Sequence, residues 1–205
     1  MFAEALRFRD LRPPNTDTNL FTYHLKILVK QGMVEKADGG YRLGNEGLAY
    51  VDRVSSEKKA VRTQPKIITM LVVQNSDGDI LLQKRTKQPY INEWTLPYGK
   101  IHIDDLSTVE AAKRECFEKL QLIDQEVQHA GDCYIRVHSG GGLLSTTLTH
   151  VFRVFQDSIE NTETLQWTRP HKIESYRLAP AVSEVMTRTF FNDPFFFEEF
   201  DVQRD

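Results

Sequence analysis

Two apolar, largely β-branched runs, Ile67 to Gln74 and Ile80 to Arg85, are separated by the turn-forming segment Asn75 to Asp79, and together they predict a pair of strands. Downstream the period changes. Val109, Ala112, Cys116 and Leu120 recur at three- and four-residue spacings, which predicts a helix that buries those four side chains. Ser107 with Glu110 makes a capping box that starts this helix near Thr108. A strand is expected over Tyr134 to His138 and is followed by the apolar-rich Leu143 to Phe155, with Gly140-Gly141-Gly142 read as the hairpin turn between them. Nearer the N-terminus, Asn15-Thr16-Asp17 offers caps for a helix over Asn19 to Lys30, with Phe21, Leu25 and Leu28 facing a core. Gly32 ends that helix, Met33 to Lys36 and Tyr41 to Leu43 form strands around the turn Asp38-Gly39-Gly40, and Asn45 to Val54 is helical again. Only Phe2 to Phe8 precedes the first loop, so an opening helix is short or missing.

Ser55 to Gln64 is polar, charged and without apolar periodicity, which reads as a linker or a helix tail between two domains, residues 1–60 and 65–205. Charge follows the same division. Residues 1–62 carry 11 Lys plus Arg against 8 Asp plus Glu, whereas residues 63–205 carry 15 against 21. The chain of 205 residues has room for a small and a medium domain. No apolar run approaches the ~20 residues of a membrane span and the N-terminus lacks a signal pattern, so the expected compartment is cytoplasmic, with no membrane partner. Cys116 and Cys133 have no metal-ligand spacing and read as buried, reduced thiols. His24, with no second ligand nearby, reads as a hydrogen-bonded packing residue. The aromatic tail from Phe190 to Phe200 reads as burying its rings against the body or a second subunit, and a homodimer is expected.

Candidate chemistry sits on the predicted helix. Glu115 and Glu118, at i and i+3, are neighbours on one face and form a two-carboxylate edge able to hold a divalent cation. The same spacing also describes an ordinary solvated face. Lys119, four residues after Glu115, is placed where it can pair with it.

The order of residues narrows this choice. From Gly99 to Leu122, the positions Gly99, Arg114, Glu115, Cys116, Glu118 and Leu122 resemble the Nudix box once one extra loop residue is allowed. Asn92 to Lys100, N-E-W-T-L-P-Y-G-K, is similar to the segment leading into that box, and the likeness spans about residues 65 to 178. Three positions depart from the pattern: its early Glu is Asp104 or Asp105, the second Glu of its pair is Lys119, and its closing Gly is Gln121. The resemblance implies an α/β/α sandwich with a mixed sheet and Mg²⁺ or Mn²⁺ as cofactor. It makes Glu115 and Glu118 the metal ligands, assisted by Asp104 or Asp105, with Arg114 orienting the glutamates. It also places Trp94, Gly99 and Lys100 near the substrate, and it expects a further acid, Glu160 or Glu163, in a later loop. The N-terminal segment F-x-Y-H-L-K-x-L-x-x-x-G-x-V-E-K is similar to small bacterial winged-helix regulators. That likeness implies DNA contacts from Asn19, Thr22, Tyr23, Lys26 and Lys30, with Arg42 on the wing. Two functions follow: hydrolysis of a nucleoside diphosphate linked to another group, or sensing of such a metabolite by a protein that regulates transcription.

Overall fold

The apolar, β-branched run Ile67 to Gln74 is realised as strand β3, Lys66–Gln74, whose successive side chains enter two different cores. The computed structural model describes residues 5–53, 63–190 and 195–204. These fall into two compact units, Met1–Thr63 and Gln64–Asp205.

The first unit runs α1 (Phe8–Leu11), α2 (Thr18–Lys30), β1 (Val34–Ala37), β2 (Gly40–Leu43) and α3 (Asn45–Arg53). Asp17 caps α2, accepting hydrogen bonds from the amides of Asn19 at 2.8 Å and Leu20 at 2.9 Å. β1 and β2 form their own two-stranded sheet, and Leu6 adds a single bridge to Tyr41. The opening helix is therefore present but only one turn long; Phe8 places its ring edge-on to Phe21 at 5.2 Å. Leu25 is buried as expected, while Leu28 lies on the exposed side. His24 is exposed beside Tyr23 rather than packed inside. Val54 to Arg62, most of the expected linker, lies outside the described residues.

The second unit is an eight-stranded mixed sheet in the order β10-β7-β8-β3-β4-β5, with β6 on β3 and β9 on β4. Its strands are β3, β4 (Ile80–Lys84), β5 (Trp94–Thr95), β6 (Tyr98–Lys100), β7 (Gln128–Ser139), β8 (Gly142–Phe155), β9 (Leu165–Thr168) and β10 (Phe196–Arg204). β3 runs parallel to β8 and β10 parallel to β7, while β7 and β8 form the predicted antiparallel hairpin. One face packs Ile68, Met70 and Val72 against α5 (Val182–Phe190) through Val182, Val185 and Met186. The other packs Leu71 and Val73 against α4 (Thr108–Leu120) through Ala112, Cys116 and Leu120. Helix on each face of a mixed sheet is the expected sandwich.

Two details of burial differ from the sequence pattern. Val109 is exposed, while Ala111 and Glu115 join Ala112, Cys116 and Leu120 on the buried side of α4, which widens the predicted stripe. In the tail, Phe196 is buried and Phe200 packs against the same core, whereas Phe195 and Phe197 point outward as strand alternation requires. Burial pushes the thiols of Cys116 and Cys133 up to about 12, so both are neutral. No helix among the described residues is long and apolar enough to cross a membrane.

Candidate active site and its carboxylates

Helix α4 is set in place by its ends. Ser107 accepts a hydrogen bond from the Glu110 amide at 3.2 Å, and Gln121 closes the helix in the left-handed conformation at φ 58°. A non-glycine residue is strained there, which is why glycine favours such a terminus.

From this helix Arg114 gathers the acidic residues into one cluster. Its Nε donates to Asp105 Oδ1 at 2.9 Å and its Nη2 donates to Asp105 Oδ2 at 2.8 Å and to the Lys100 carbonyl at 2.9 Å. Its Nη1 donates to Glu115 Oε1 at 2.7 Å and stands 3.5 Å from Glu118 Oε2. The Asp105 carboxylate also accepts from the His102 amide at 2.7 Å. The guanidinium bonds hold the Asp105 carboxyl far below the usual carboxylate range and push the Arg114 guanidinium further up. Asp105 is thus wholly occupied in positioning Arg114, and Arg114 positions the glutamates.

Glu115 is 3% exposed and lies directly over Gly99. A Cβ at residue 99 would stand 1.8 Å from the Glu115 carboxylate, so the glycine is there to admit it. One oxygen of Glu115 is bound by Arg114; the other, Oε2, is buried without a hydrogen-bond partner. A buried carboxylate oxygen left unpaired is costly, and a divalent cation satisfies it. Glu118, with its side chain 46% exposed, stands beside it on the same face. The residues present therefore fit a Mg²⁺ or Mn²⁺ held between Glu115 and Glu118.

Both glutamates open onto a cleft of about 810 Å³. Gly99 and Lys100 line it as expected, as does Lys119, and so do Lys66, Lys84, Arg85 and Lys87, which sequence spacing did not single out for the site. Six cationic side chains surround the two carboxylates, so the cleft favours a polyanion. Tyr90 and Tyr98 supply aromatic wall; Arg85 bonds the Tyr98 hydroxyl and lies 5.1 Å over its ring. Arg204 of β10 lies 4.8 Å over Tyr90 and binds the buried Glu93 at 2.5 Å, tying the last strand to the cleft wall.

Several expected placements differ. Lys119 forms no ion pair among the described residues; Arg114 takes Glu115 in its place, because its longer, forked side chain reaches that carboxylate from the adjacent position. Asp104 is exposed and outside the cluster, since Asp105 alone faces Arg114. Trp94 does not line the cleft: it packs edge-on to Tyr176 at 5.4 Å, while its neighbour Thr95 forms the wall. Glu160 and Glu163 are exposed and neither lines the cleft, which is reached from that loop only by Thr164. In the first unit, Asn19, Tyr23, Lys26 and Lys30 are exposed on α2. Thr22 donates its hydroxyl to the Thr18 carbonyl at 2.7 Å, and Arg42 pairs with Glu35 at 2.6 Å, so these two are engaged within the unit.

A NUDIX domain model matches residues 64–196, more than half of the chain. Among solved structures, the mutator MutT protein from Bacillus halodurans superposes with a TM-score of 0.55 at 19% identity, covering 68% of this chain and 92% of that one. The NUDIX domain of Shewanella oneidensis NrtR, crystallised with ADP ribose, gives 0.50 at 16% identity over 69% of this chain and 94% of that one. NrtR crystallised with a 27mer DNA gives 0.50 at 16% identity over 60% and 59%. At these identities the likeness is one of fold. With the domain match, the Gly99–Glu115 contact and the carboxylate pair on α4, the chain belongs to the Nudix family.

Proposed function

We propose that the second unit binds a nucleotide-type diphosphate in its cleft and hydrolyses it slowly with Mg²⁺ or Mn²⁺ held by Glu115 and Glu118. One observation carries this reading: the buried, unpartnered Oε2 of Glu115 on a cleft whose other charges are cationic. The cation supplies neutralisation of phosphate oxygens and activation of water. The cleft's cationic side chains bind and orient the phosphates, Arg114 fixes the direction of both glutamates, and Asp105 fixes Arg114. Lys119 brings an ammonium to the wall beside the carboxylates, which weakens cation binding and accounts for slow turnover.

A screen of nucleoside diphosphate derivatives with Mg²⁺ and Mn²⁺, scoring binding and turnover separately, tests this directly. Glu118→Gln should remove most turnover and leave the fold intact, and Lys119→Glu should tighten Mg²⁺ binding or raise the rate. Wild-type turnover by Glu118→Gln would overturn the assignment.

Lys119 favours a second reading, in which binding without turnover regulates DNA binding by the first unit. The helix-hairpin-helix order of that unit suits a winged helix, and the NrtR structures with ADP ribose and with DNA supply a precedent in the same fold. Asn19, Tyr23, Lys26 and Lys30 would then meet the DNA. Lys26→Ala with Lys30→Ala should weaken binding to all sequences and flatten its salt dependence. A ligand that shifts DNA affinity must have its own affinity shifted by the same factor when DNA is added. A protein that binds no DNA at low salt would reduce the first unit to an interaction module.

A further inference from the structure

We propose that His129, Asp132 and His150 form a second metal site, selective for a borderline divalent cation of the Zn²⁺ class. His129 and Asp132 lie on β7 and His150 on β8. Residues three apart on a regular strand point to opposite faces. Here the register shifts between His129 and Gly131, so His129 sits opposite Phe152 and Asp132 opposite His150, and all three side chains share one face. Bulges of this kind re-aim side chains at functional positions.

His129 Nε2 lies 2.8 Å and His150 Nδ1 lies 2.7 Å from the same oxygen, Asp132 Oδ1, and the three candidate ligand atoms fall within 4.8 Å of one another. The His129 ring is fixed between Phe152, stacked at 4.7 Å, and Phe195, edge-on at 5.2 Å. All three side chains are partly exposed, so a cation and a completing water have access. Two imidazoles and a carboxylate are the donor set of a zinc centre with an open position, whereas Mg²⁺ prefers oxygen alone. Alternation along β7 and β8 also separates this face from Ile135, Val137 and Thr147, which line the cleft. A bound cation would take the place of the hydrogen bonds that now join each ring nitrogen to Asp132.

The test is Zn²⁺ calorimetry and Co²⁺ visible absorption on the full chain, with millimolar Mg²⁺ present to occupy Glu115 and Glu118. One equivalent of Zn²⁺ and the intense bands of low-coordinate Co²⁺ are expected, and both should persist in Glu115→Gln with Glu118→Gln. His150→Gln should lower Zn²⁺ affinity by more than the roughly 10–100-fold typical of an outer-shell loss, and erase the bands. His129→Gln, at the more exposed ligand, serves the same purpose if circular dichroism shows that His150→Gln does not fold. Wild-type protein that takes up no Zn²⁺, or folded His-to-Gln variants that bind it unchanged, would leave the cluster as a hydrogen-bonded brace and overturn the proposal.

Discussion

Helices α2 and α4 are both 13 residues long, both carry a side-chain N-cap and both end on a basic turn, yet they have opposite fates. α2 buries one residue, Leu25. α4 buries Ala111, Ala112, Glu115, Cys116 and Leu120 against an eight-stranded sheet. Local signals start and stop a helix equally well in both places; what lies across from it decides how much it contributes and whether a charged residue is drawn inside. Only α4 carries a buried acid, and only α4 has an arginine fork and a glycine arranged to hold one.

The sharpest way to break this contrast is Gly99→Ala. Its Cβ displaces the Glu115 carboxylate from Arg114, leaving a buried charge without its partner. Unfolding should become easier by about 3 kcal/mol and turnover should fall by more than about a hundredfold. An alanine variant with wild-type melting and turnover would mean that Glu115 does not need its place over Gly99.

Leucine truncation compares the two helices directly. Leu120→Ala should cost about 3 kcal/mol in a denaturant melt, because a cavity opens against Leu71, Val73 and Phe152. Leu28→Ala, at an exposed site, should stay within about 0.5 kcal/mol. Equal losses would show that α2 is covered in solution by a partner surface.

Acid titration probes the fork. The folded carboxyl of Asp105 is held below its unfolded value, first by the Arg114 hydrogen bonds, so its stabilisation is present above about pH 4. That contribution is lost as the pH falls further, toward the folded value. Asp105→Asn should destabilise by about 2 kcal/mol at neutral pH and flatten the decline below pH 4. An unchanged acid limb in this variant would remove Asp105 from the account.

The smallest effect runs the other way. Gln121→Gly relieves the left-handed helix end at φ 58° and should raise stability by about 1 kcal/mol, seen as a higher melting temperature. A lower melting temperature would show that the Gln121 side chain contributes more than the strain removes.

Much of the architecture was legible because it is carried by local chemistry. Ser107 and Glu110 marked the start of α4 to the residue, an apolar, β-branched run marked β3, and Gly140 to Gly142 marked the β7–β8 turn. The shared face of Glu115 and Glu118 was likewise visible, since both lie within one turn of one helix. Misplacements arose where two partners compete. Asp104 and Asp105 are equivalent in spacing, and only the approach of Arg114 selects Asp105. Lys119 and Arg114 both neighbour Glu115, and the reach of the guanidinium selects Arg114.

By itself, then, the chain's order of residues determined where α2, α4, β3 and β4 lie, and which pair of glutamates shares a face. Tertiary structure alone decided that Glu115 is buried over Gly99, that lysines and Arg85 from separate strands and loops meet around it, and that a bulge at Ala130 brings His129 to Asp132 and His150. Periodicity records which face a residue takes on its own element. Which other face it meets depends on strand register and long-range packing, and no local spacing encodes those.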